Sequence, residues 1–348
     1  MLVQAEDLRN TCIQLLGKAG VPAKHTQECT DVLVEADLEG TGSHGVMRLP
    51  IYLSAIERGQ IDPAAQVRVE ETGPGTATIN GGNALGQVVG MTAMTTAIRK
   101  AREVGIASVT ACHSNHFGAA AYYTHMAARA SLVGICTTNS PPAIPAWGGR
   151  EAYLGTNPLA IAFPTASGDP LSIDLSMSVV ARGKIIQAVR SNQPIPLGWA
   201  IDKEGRETTD AKAALAGAML PLGGAKGFAL ALAIEILSAV LSGSAFGPHV
   251  NSILEQDTNP ANVGHWFVVI DISRFLPLAT FLAQLDELLA GLRGTNLADG
   301  YITLRMPGER RAGLRRQQLV EGINLPAETI QALNFWANRL AVQPLAAR

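Results

Sequence analysis

Apolar residues near both ends of the chain recur every three to four positions, which is the spacing of one helix face. The N-terminal end predicts helices over 5–19, 25–38 and 47–58, and the C-terminal end predicts helices over 277–292 and 327–340. Proline and glycine separate these segments, as expected where helices end. Both ends of the chain are therefore predicted to be helical.

The middle of the chain follows a different pattern, in which short segments alternate apolar and polar residues with the period of two that strands require. The predicted strands are 67–70, 76–79, 106–110, 132–137, 159–163, 171–175 and 266–271, and helices are predicted at 87–103 and 122–129. The longest apolar run, 228–241, is interrupted by Glu235 and is too short to span a bilayer, so a buried helix is expected there.

This change of period divides the chain into three regions: residues 1–70 are helical, residues 71–274 are rich in strands, and residues 275–348 are helical again. A chain of 348 residues is longer than an ordinary single domain. We expect an α/β protein in which the last region packs back on the first, so that the helical ends flank a strand-rich central domain.

Composition narrows the possible partners and the compartment. Charged residues make up only 16% of the chain and the net charge is −2, so some of the surface is expected to be covered by another subunit. No basic stripe with interleaved aromatic residues indicates nucleic-acid binding, and no leader or membrane span is recognisable. The four scattered cysteines lack metal-ligand spacing, and a reducing cytoplasmic location is expected.

A glycine-flanked segment, residues 41–48, carries the first candidate chemistry: Ser43, His44 and Arg48. An imidazole for proton transfer and a guanidinium for a carboxylate suffice for chemistry on a 2-oxo or 2-hydroxy acid. If a helix begins at Val46, His44 and Arg48 project from one helical face. The alternative is a capped helix start with a surface arginine, and this segment alone favours that alternative.

The glycine loop at 81–86 lies between a predicted strand and a predicted helix, as in dinucleotide-binding folds. Its spacing is G-G-x-x-x-G rather than G-x-G-x-x-G, and no acidic residue ends the following strand at the usual distance. We therefore interpret this loop as a packing turn and not as a Rossmann site.

A second histidine cluster, 113–118, directly follows a predicted strand, where ligands often bind in α/β folds. Zinc binding by His44, His113, His116 and His125 is the competing hypothesis. No H-E-x-x-H or C-x-x-C motif accompanies these residues, so no metal site is predicted. No G-x-S-x-G motif indicates a nucleophilic hydrolase.

Three further positions could carry chemistry, and each has a structural alternative. Asp174 ends a predicted strand, where it could orient a histidine or bind a ribose hydroxyl, or could cap the next helix. Lys226 lies among glycines at a helix start, where it could hold a phosphate or simply be solvated. The segment 306–309 could be a simple turn. Taken singly, each motif is explained by its alternative, and their joint presence needs another explanation.

Together these motifs resemble the malate/L-lactate dehydrogenase family of the non-Rossmann type. That family also includes ureidoglycolate dehydrogenase, diketogulonate reductase, sulfolactate dehydrogenase and piperideine/pyrroline-2-carboxylate reductase. The resemblance covers about residues 5–335 and rests on motifs in a shared order: Ser43-His44-Gly45 with Arg48, Asn115-His116, 155–158, 174–176, 182–184, 208–210, 224–227 and 307–309.

The resemblance implies a non-Rossmann NAD(P)-binding fold with a largely antiparallel central sheet. It implies that 71–274 bind the cofactor, that the N-terminal region serves substrate and dimer contacts, and that the protein is a homodimer, with higher even oligomers left open. By motif match, Ser43, His44 and His116 are catalytic, and Ser43, His44 and Arg48 bind the substrate. The implied cofactor-binding residues are His116, Ser140, Thr156, Asp174, Leu175, Ser176, Lys226, Pro307, Gly308 and Glu309.

The expected activity is hydride transfer between NAD or NADP and C2 of a small 2-hydroxy or 2-oxo carboxylic acid, malate-like or lactate-like. A histidine with the ordinary pKa of about 6.5 would suit proton transfer in both directions. Pro141 stands where ureidoglycolate dehydrogenase has an acidic residue that reads the ureido group, which counts against ureidoglycolate as the substrate. Arg182 and Lys184 favour a hydroxy acid over the alternative, a cyclic imine reductase. A non-catalytic ligand-binding homologue is the second alternative, and the sequence does not decide between NAD and NADP.

Overall fold

The computed structural model describes residues 1–254 and 258–346. Helices at the two ends and in the middle of the chain share boundaries close to the predicted ones. In chain order they are α1 (Ala5–Lys18), α2 (Ala23–Leu38), α3 (Leu49–Glu57), α4 (Gly86–Val104), α5 (Ala120–Arg129), α6 (Arg182–Arg190), α7 (Ala211–Ala216), α8 (Ala225–Glu235), α9 (Leu278–Arg293), α10 (Glu309–Glu321) and α11 (Ala327–Arg339).

The strands are concentrated in the middle of the chain, as predicted. They are β1 (Leu2–Val3), β2 (Arg68–Gly73), β3 (Thr76–Asn80), β4 (Ile106–Ser114), β5 (Val133–Thr138), β6 (Ile144–Pro145), β7 (Ala152–Leu154), β8 (Leu159–Phe163), β9 (Leu171–Leu175), β10 (Ala200–Ile201), β11 (Ala218–Met219), β12 (Val263–Ile270) and β13 (Ile323–Asn324).

Seven of these strands form one sheet in the order β2-β3-β4-β12-β5-β8-β9. Within the described residues, β3 and β4 form its one parallel pair, and the other neighbours are antiparallel. This arrangement confirms the largely antiparallel α/β fold. The late strand β12 lies at the centre of the sheet, where His265 links β4 to β5 through Ser114 (2.7 Å) and Thr138 (2.8 Å).

Buried apolar residues of the described chain form three clusters. The first joins α1, α2 and α3 to α11, so the last helix packs on the N-terminal helices. The second lies between the large sheet and helices α4 and α5, and the third surrounds α6, α7 and α8. The division of the chain at residues 70 and 274 stays a prediction.

Helix α4 illustrates how the sequence pattern forms the second cluster. Val89, Ala93, Ala97 and Ala101 recur at helical spacing and are buried. Gly90 lets α4 approach α5, because a Cβ at that position would lie 2.7 Å from the ring of Tyr123. Small residues on one helix face therefore bring α4 close to its neighbours.

The apolar run at 228–241 differs from its prediction. It forms the end of α8 and a π turn, Ile236–Val240, and many of its side chains are not buried. Leu230, Leu232 and Val240 are 51%, 41% and 55% exposed. A helix that is apolar on every side has the same pattern whether its own chain or another chain covers it, so the prediction of a buried helix is wrong for this chain alone.

The sequence pattern does not predict helices α6, α7 and α10. Helix α10 has the sequence ERRAGLRRQQLVE, contains no buried residue and lacks the apolar stripe on which helix prediction depends. Polar contacts with α2 and β9 hold it in place instead. Those contacts also link β9 to α2, and residues on or next to these two elements form the candidate site described below.

Candidate active site

The segment between α2 and α3 contains two 3-10 turns, Gly42–His44 and Val46–Arg48, and the second runs directly into α3, so His44 lies outside the helical segment that carries Arg48. The cause is the buried carboxyl group of Asp37. Its Oδ2 accepts a hydrogen bond from the backbone N–H of Val46 at 2.7 Å. A Cβ on Gly45 would lie 2.1 Å from Asp37 Oδ1, so only glycine allows the chain to bend around this group. Burial raises the pKa of Asp37 to about 7.

This bend brings Ser43, His44 and Arg48 close together, although they do not lie on one face of a helix. Ser43 Oγ lies 3.0 Å from His44 Nδ1, and Arg48 Nε donates to the carbonyl oxygen of Ser43 at 2.7 Å. Arg48 makes no ion pair within residues 1–254 and 258–346, so its two terminal nitrogens are available to an anion. Because Nε is already engaged, a carboxylate would be bound through those two nitrogens.

His116 lies just beyond β4 and its ring stacks on that of His44, with 5.6 Å between the centroids and 20° between the planes. Tyr52, buried on α3, places its hydroxyl 2.7 Å from His116 Nδ1. The Gly118 N–H also donates to Nδ1, at 3.4 Å. Protein partners therefore occupy Nδ1 of both histidines, while Nε2 of each ring has no hydrogen-bond partner among the described residues and is left for a ligand.

Burial lowers the pKa of His44 to about 4, and the positive charge of Arg48 adds to the effect. Burial likewise holds the pKa of His116 well below its ordinary value, again with a contribution from Arg48. The expectation of an ordinary pKa near 6.5 is therefore wrong for both side chains. Both imidazoles are neutral at pH 7 and can accept a proton.

The glycine loop at 81–86 packs on the strand end that precedes His116. A Cβ at Gly81 would lie 2.7 Å from the carbonyl oxygen of His113, and one at Gly86 would lie 2.2 Å from that of Asn115. Asn115 Nδ2 in turn donates to the carbonyl oxygen of Ala84 at 2.8 Å. These contacts confirm that the loop is a packing turn, and they fix the backbone next to His116.

Asp174 lies on β9, and helix α6 starts only at Arg182, so the alternative of a helix cap is wrong. Its Oδ2 lies 2.7 Å from Arg311 Nη1 in an ion pair that is largely shielded from solvent. The charges of Asp174 and Arg311 act on His44 in opposite directions, raising and lowering its pKa. Asp174 is thus electrostatically coupled to the candidate proton-transfer group.

Helix α10 connects the strand of Asp174 to the segment before His44. One face of the helix carries Arg311 and, one and two turns later, Arg315 and Gln318. Arg315 Nε lies 2.6 Å from Glu35 Oε1, and Gln318 Nε2 donates to the carbonyl oxygen of Asp37 at 3.0 Å. Polar contacts along one face of α10 therefore join the two sides of the site.

Ser140 and Thr156, both predicted to contact the cofactor, lie together. The Thr156 N–H donates to Ser140 Oγ at 3.0 Å, and a Cβ on Gly155 would lie 2.3 Å from the Ser140 carbonyl oxygen. The next residue, Asn157, donates from Nδ2 to the buried Glu235 Oε2 at 2.6 Å. This network fixes the loop that presents Ser140 and Thr156.

Pro307 and Gly308 lie against β9. The Ser172 N–H donates to the Pro307 carbonyl oxygen at 3.2 Å, and Gly308 (φ 92°) would place a Cβ 3.0 Å from Ser172 Cβ. Ser172 Oγ lies 2.7 Å from Nε2 of the buried His125. The segment 307–309 is therefore more than an isolated turn, because it is fastened to the strand that carries Asp174.

The remaining predicted cofactor residues are more exposed. Leu175 is 47% exposed, and Ser176 Oγ lies 3.2 Å from Ser178 Oγ. Lys226 is exposed in the first turn of α8 and forms no ion pair with any described residue. No contact joins it to the histidines within residues 1–254 and 258–346.

The groups present suit a dinucleotide. Lys226 offers a cation without an ion-pair partner among the described residues near a helix start, and Asp174 offers a carboxylate whose charge acts on His44. A cavity of about 370 Å³ adjoins Pro307, Gly308 and Glu309. Cation, carboxylate and cavity are the groups that the phosphates, ribose and base of such a cofactor require.

Sequence patterns do not predict three residues of the site. Tyr52 lies inside an apolar helical pattern that gives no sign of chemistry, and Arg311 lies in an arginine-rich segment without periodicity. Glu235 is visible in the sequence only as an interruption of the apolar run at 228–241. A lone acid in such a run is a usable signal, because a buried carboxylate needs polar partners.

Of the histidines considered as zinc ligands, His113 and His125 make no contact with His44 or His116 among the described residues. Within residues 1–254 and 258–346, no group of three or more His, Cys, Asp or Glu side chains is placed to hold a metal ion. His113 is exposed, while His125 is buried beside Ser172.

None of the helices described is both long and apolar enough to cross a membrane.

Comparison with known proteins places these features in a family. The sequence profile of the family described as malate/L-lactate dehydrogenase matches residues 3–334. The chain is 41% identical to L-sulfolactate dehydrogenase of Methanocaldococcus jannaschii, over 89% of each chain. It is 37% identical to (2R)-3-sulfolactate dehydrogenase (NADP+) of Chromohalobacter salexigens, over 97% of this chain and 98% of that one. It is 36% identical to ureidoglycolate dehydrogenase (NAD+) of Escherichia coli O157:H7, over 96% of this chain and 95% of that one.

Solved structures agree with the sequence comparison. Malate dehydrogenase from Entamoeba histolytica superposes with a TM-score of 0.94 at 30% identity, covering 99% of both chains. Sulfolactate dehydrogenase from Methanocaldococcus jannaschii superposes with a TM-score of 0.91 at 38% identity, covering 99% of this chain and 98% of that one. Sequence and fold together show that this chain belongs to the malate/L-lactate dehydrogenase family.

Proposed function

We propose that this protein is an NAD(P)-dependent dehydrogenase that transfers a hydride to or from C2 of a small 2-hydroxy or 2-oxo carboxylic acid, malate-like or lactate-like. One observation carries the proposal: two neutral histidines stack beside an arginine without an ion-pair partner among the described residues. These are the groups that proton transfer at C2 and carboxylate binding require. Relatives named for sulfolactate and ureidoglycolate support the same reaction class.

In this proposal Arg48 binds the substrate carboxylate. Its Nε is held by the Ser43 carbonyl oxygen, which fixes the direction of the guanidinium plane. A carboxylate bound by both terminal nitrogens has one orientation, so C2 is presented at a defined angle. Ser43 and His44 line the same side of the loop and contact the bound acid.

The proton moves through His44 or His116. During oxidation, Nε2 accepts the proton of the C2 hydroxyl in the tautomer whose Nδ1 carries the ring hydrogen, and during reduction the same nitrogen returns it. In His44 that Nδ1–H donates to Ser43 Oγ, and in His116 it donates to the Tyr52 hydroxyl oxygen in place of accepting from Gly118. A protein partner at each Nδ1 limits ring rotation, which keeps Nε2 directed away from those partners.

A dinucleotide would be held by a larger set of residues around the sheet and α8, and when bound it supplies the hydride acceptor or donor. The residues proposed to hold it are His116, Ser140, Thr156, Asp174, Leu175, Ser176, Lys226, Pro307, Gly308 and Glu309. The relatives include an NADP+ enzyme and an NAD+ enzyme, so family membership alone does not select the cofactor.

A substrate panel tests the reaction. Purified protein with NADH or NADPH should oxidise the cofactor with pyruvate or oxaloacetate faster than with a cyclic imino acid, as followed by absorbance. Arg182 and Lys184, both exposed and cationic, give an iminium ion no carboxylate partner. Faster turnover of the imino acid would replace the proposed substrate class. No oxidation of any compound, despite measured cofactor binding, would indicate a non-catalytic binding protein.

We further propose that the protein is a homodimer in the cytoplasm. The face of α8 and the following π turn that carries exposed Leu232, Ile236 and Val240 is an apolar surface, and a second copy of the chain would cover it. Helix α9 buries only Leu289 among its residues and is a second candidate surface. The four cysteines are free and buried, which suits a reducing compartment that cell fractionation can check.

Charge introduced on the apolar face should separate the subunits. Sedimentation should give a dimer for the unchanged protein and a monomer for the double variant Leu232→Asp, Val240→Asp, because a buried unpaired carboxylate is costly. Val69→Asp is a matched control, since Val69 is 44% exposed on β2, away from this face. A monomeric unchanged protein, or a double variant that stays dimeric, would contradict this interface.

A further inference from the structure

The cavity beside residues 307–309 is lined by unusually many charged side chains. It lies between the turn that joins β8 to β9 and the facing sides of α9 and α10, and its volume is about 370 Å³. Its charged lining residues are Asp169, Asp286, Arg293, Glu309 and Arg316. The reaction proposed above gives these side chains, apart from Glu309, no role.

The strand β9 connects this cavity to the reacting end of the site. Leu171 lines the cavity, and Asp174, three residues later, is the carboxylate that acts on His44. At a rise of about 3.3 Å per residue, these two positions are about 10 Å apart along the strand. The cavity extends beyond Leu171 to Asp169. An extended dinucleotide with its nicotinamide near Asp174 would therefore place its adenosine end in this cavity, an inference that rests on the proposed function.

Among the charged side chains that line the cavity, carboxylates outnumber guanidinium groups. Arg293 pairs with Glu309 and Arg316 pairs with Asp169, so each guanidinium already faces a carboxylate. Asp286 lines the cavity and has no ion-pair partner among the described residues. Three carboxylates against two guanidinium groups leave one negative charge.

We propose that this cavity holds the adenosine ribose and selects NAD over NADP. A free 2′-hydroxyl can donate a hydrogen bond to a carboxylate, whereas a 2′-phosphate needs an arginine. The phosphate would add nearly two negative charges to a lining that is already negative. The two arginines that line the cavity are already paired with Glu309 and Asp169. The specificity-determining residue is Asp169, because its side chain contacts only Arg316 in the described structure.

Calorimetric titration of the substrate-free protein with NAD+ and NADP+ tests this selection without depending on turnover. The unchanged protein should bind NAD+ at least roughly tenfold more tightly than NADP+, a difference of about 1.4 kcal/mol. Asp169→Asn should release Arg316 and remove a negative charge. It should therefore tighten NADP+ binding by roughly tenfold, with NAD+ binding nearly unchanged.

Glu57→Gln is the matched control, because Glu57 forms a similarly exposed ion pair, with Arg339, outside the cavity. It should leave the ratio of the two dissociation constants unchanged. Tighter binding of NADP+ by the unchanged protein, or an unchanged ratio in Asp169→Asn, would overturn the selection mechanism alone. Binding of neither dinucleotide would contradict the proposed function itself.

Discussion

Alanine in place of the histidine that moves the proton should lower kcat by roughly 10²–10⁴-fold, the usual contribution of general acid–base catalysis. Comparing His44→Ala with His116→Ala identifies that residue, because kcat should fall less when the other ring, which acts mainly by stacking, is removed. Near-normal turnover in both variants would rule out the mechanism.

The pH profile provides an independent check on the same residues. Burial lowers the pKa of His44 to about 4, so that ring stays neutral as the pH falls from 7 to about 5, and burial also holds the pKa of His116 well below its ordinary value. If His44 is the accepting ring, kcat/KM for oxidation of the 2-hydroxy acid should therefore show no loss over this range. It should fall near pH 4 and below, where His44 becomes protonated. A decline centred near pH 6.5 would show that burial does not shift the catalytic ring.

Replacing Arg48 should have the second large effect. Arg48→Leu removes two charge-assisted hydrogen bonds to the carboxylate, each contributing about 1.5–3 kcal/mol, so kcat/KM for the acid should fall by about 10²–10⁴-fold. Arg48→Lys keeps the charge but not the paired geometry, and should recover only some of the loss. Steady-state kinetics at a saturating cofactor concentration give kcat/KM for both variants.

Arg68→Leu is a suitable control, because Arg68 is exposed on β2 and has no ion-pair partner within the described residues. It should leave kcat/KM unchanged. If Arg48→Leu instead raised KM for the cofactor and spared the acid, Arg48 would belong to the dinucleotide site.

Much of the fold could be predicted because apolar residues recur at a regular spacing within most of its helices and strands. The helical spacing at 5–19 and 327–340 and the alternation at 159–163 and 171–175 each matched an observed element closely. Helix α10 could not be predicted, since its side chains are held by carboxylates and carbonyl oxygens from α2 and β9. Such partners are distant in sequence and leave no periodic pattern.

The candidate site was predictable as a set of residues and much less so as an arrangement. The motifs placed Ser43, His44 and Arg48 together, but the structure shows a bend around Asp37 instead of one helix. Tyr52 had no recognisable signal, although its hydroxyl lies against His116. Functional motifs identify residue types, whereas orientation depends on buried neighbours that lie outside the motif.

The sequence by itself determined the family, the alternation of helical ends with a strand-rich centre, and the groups available for chemistry. Tertiary structure alone decided that His44 stacks on His116, that both imidazoles lose their ordinary pKa, and that the charged cavity lies along β9 from Asp174. Local pattern depends on backbone geometry within a few residues. Stacking, desolvation and charge balance depend on which distant segments the folded chain brings together.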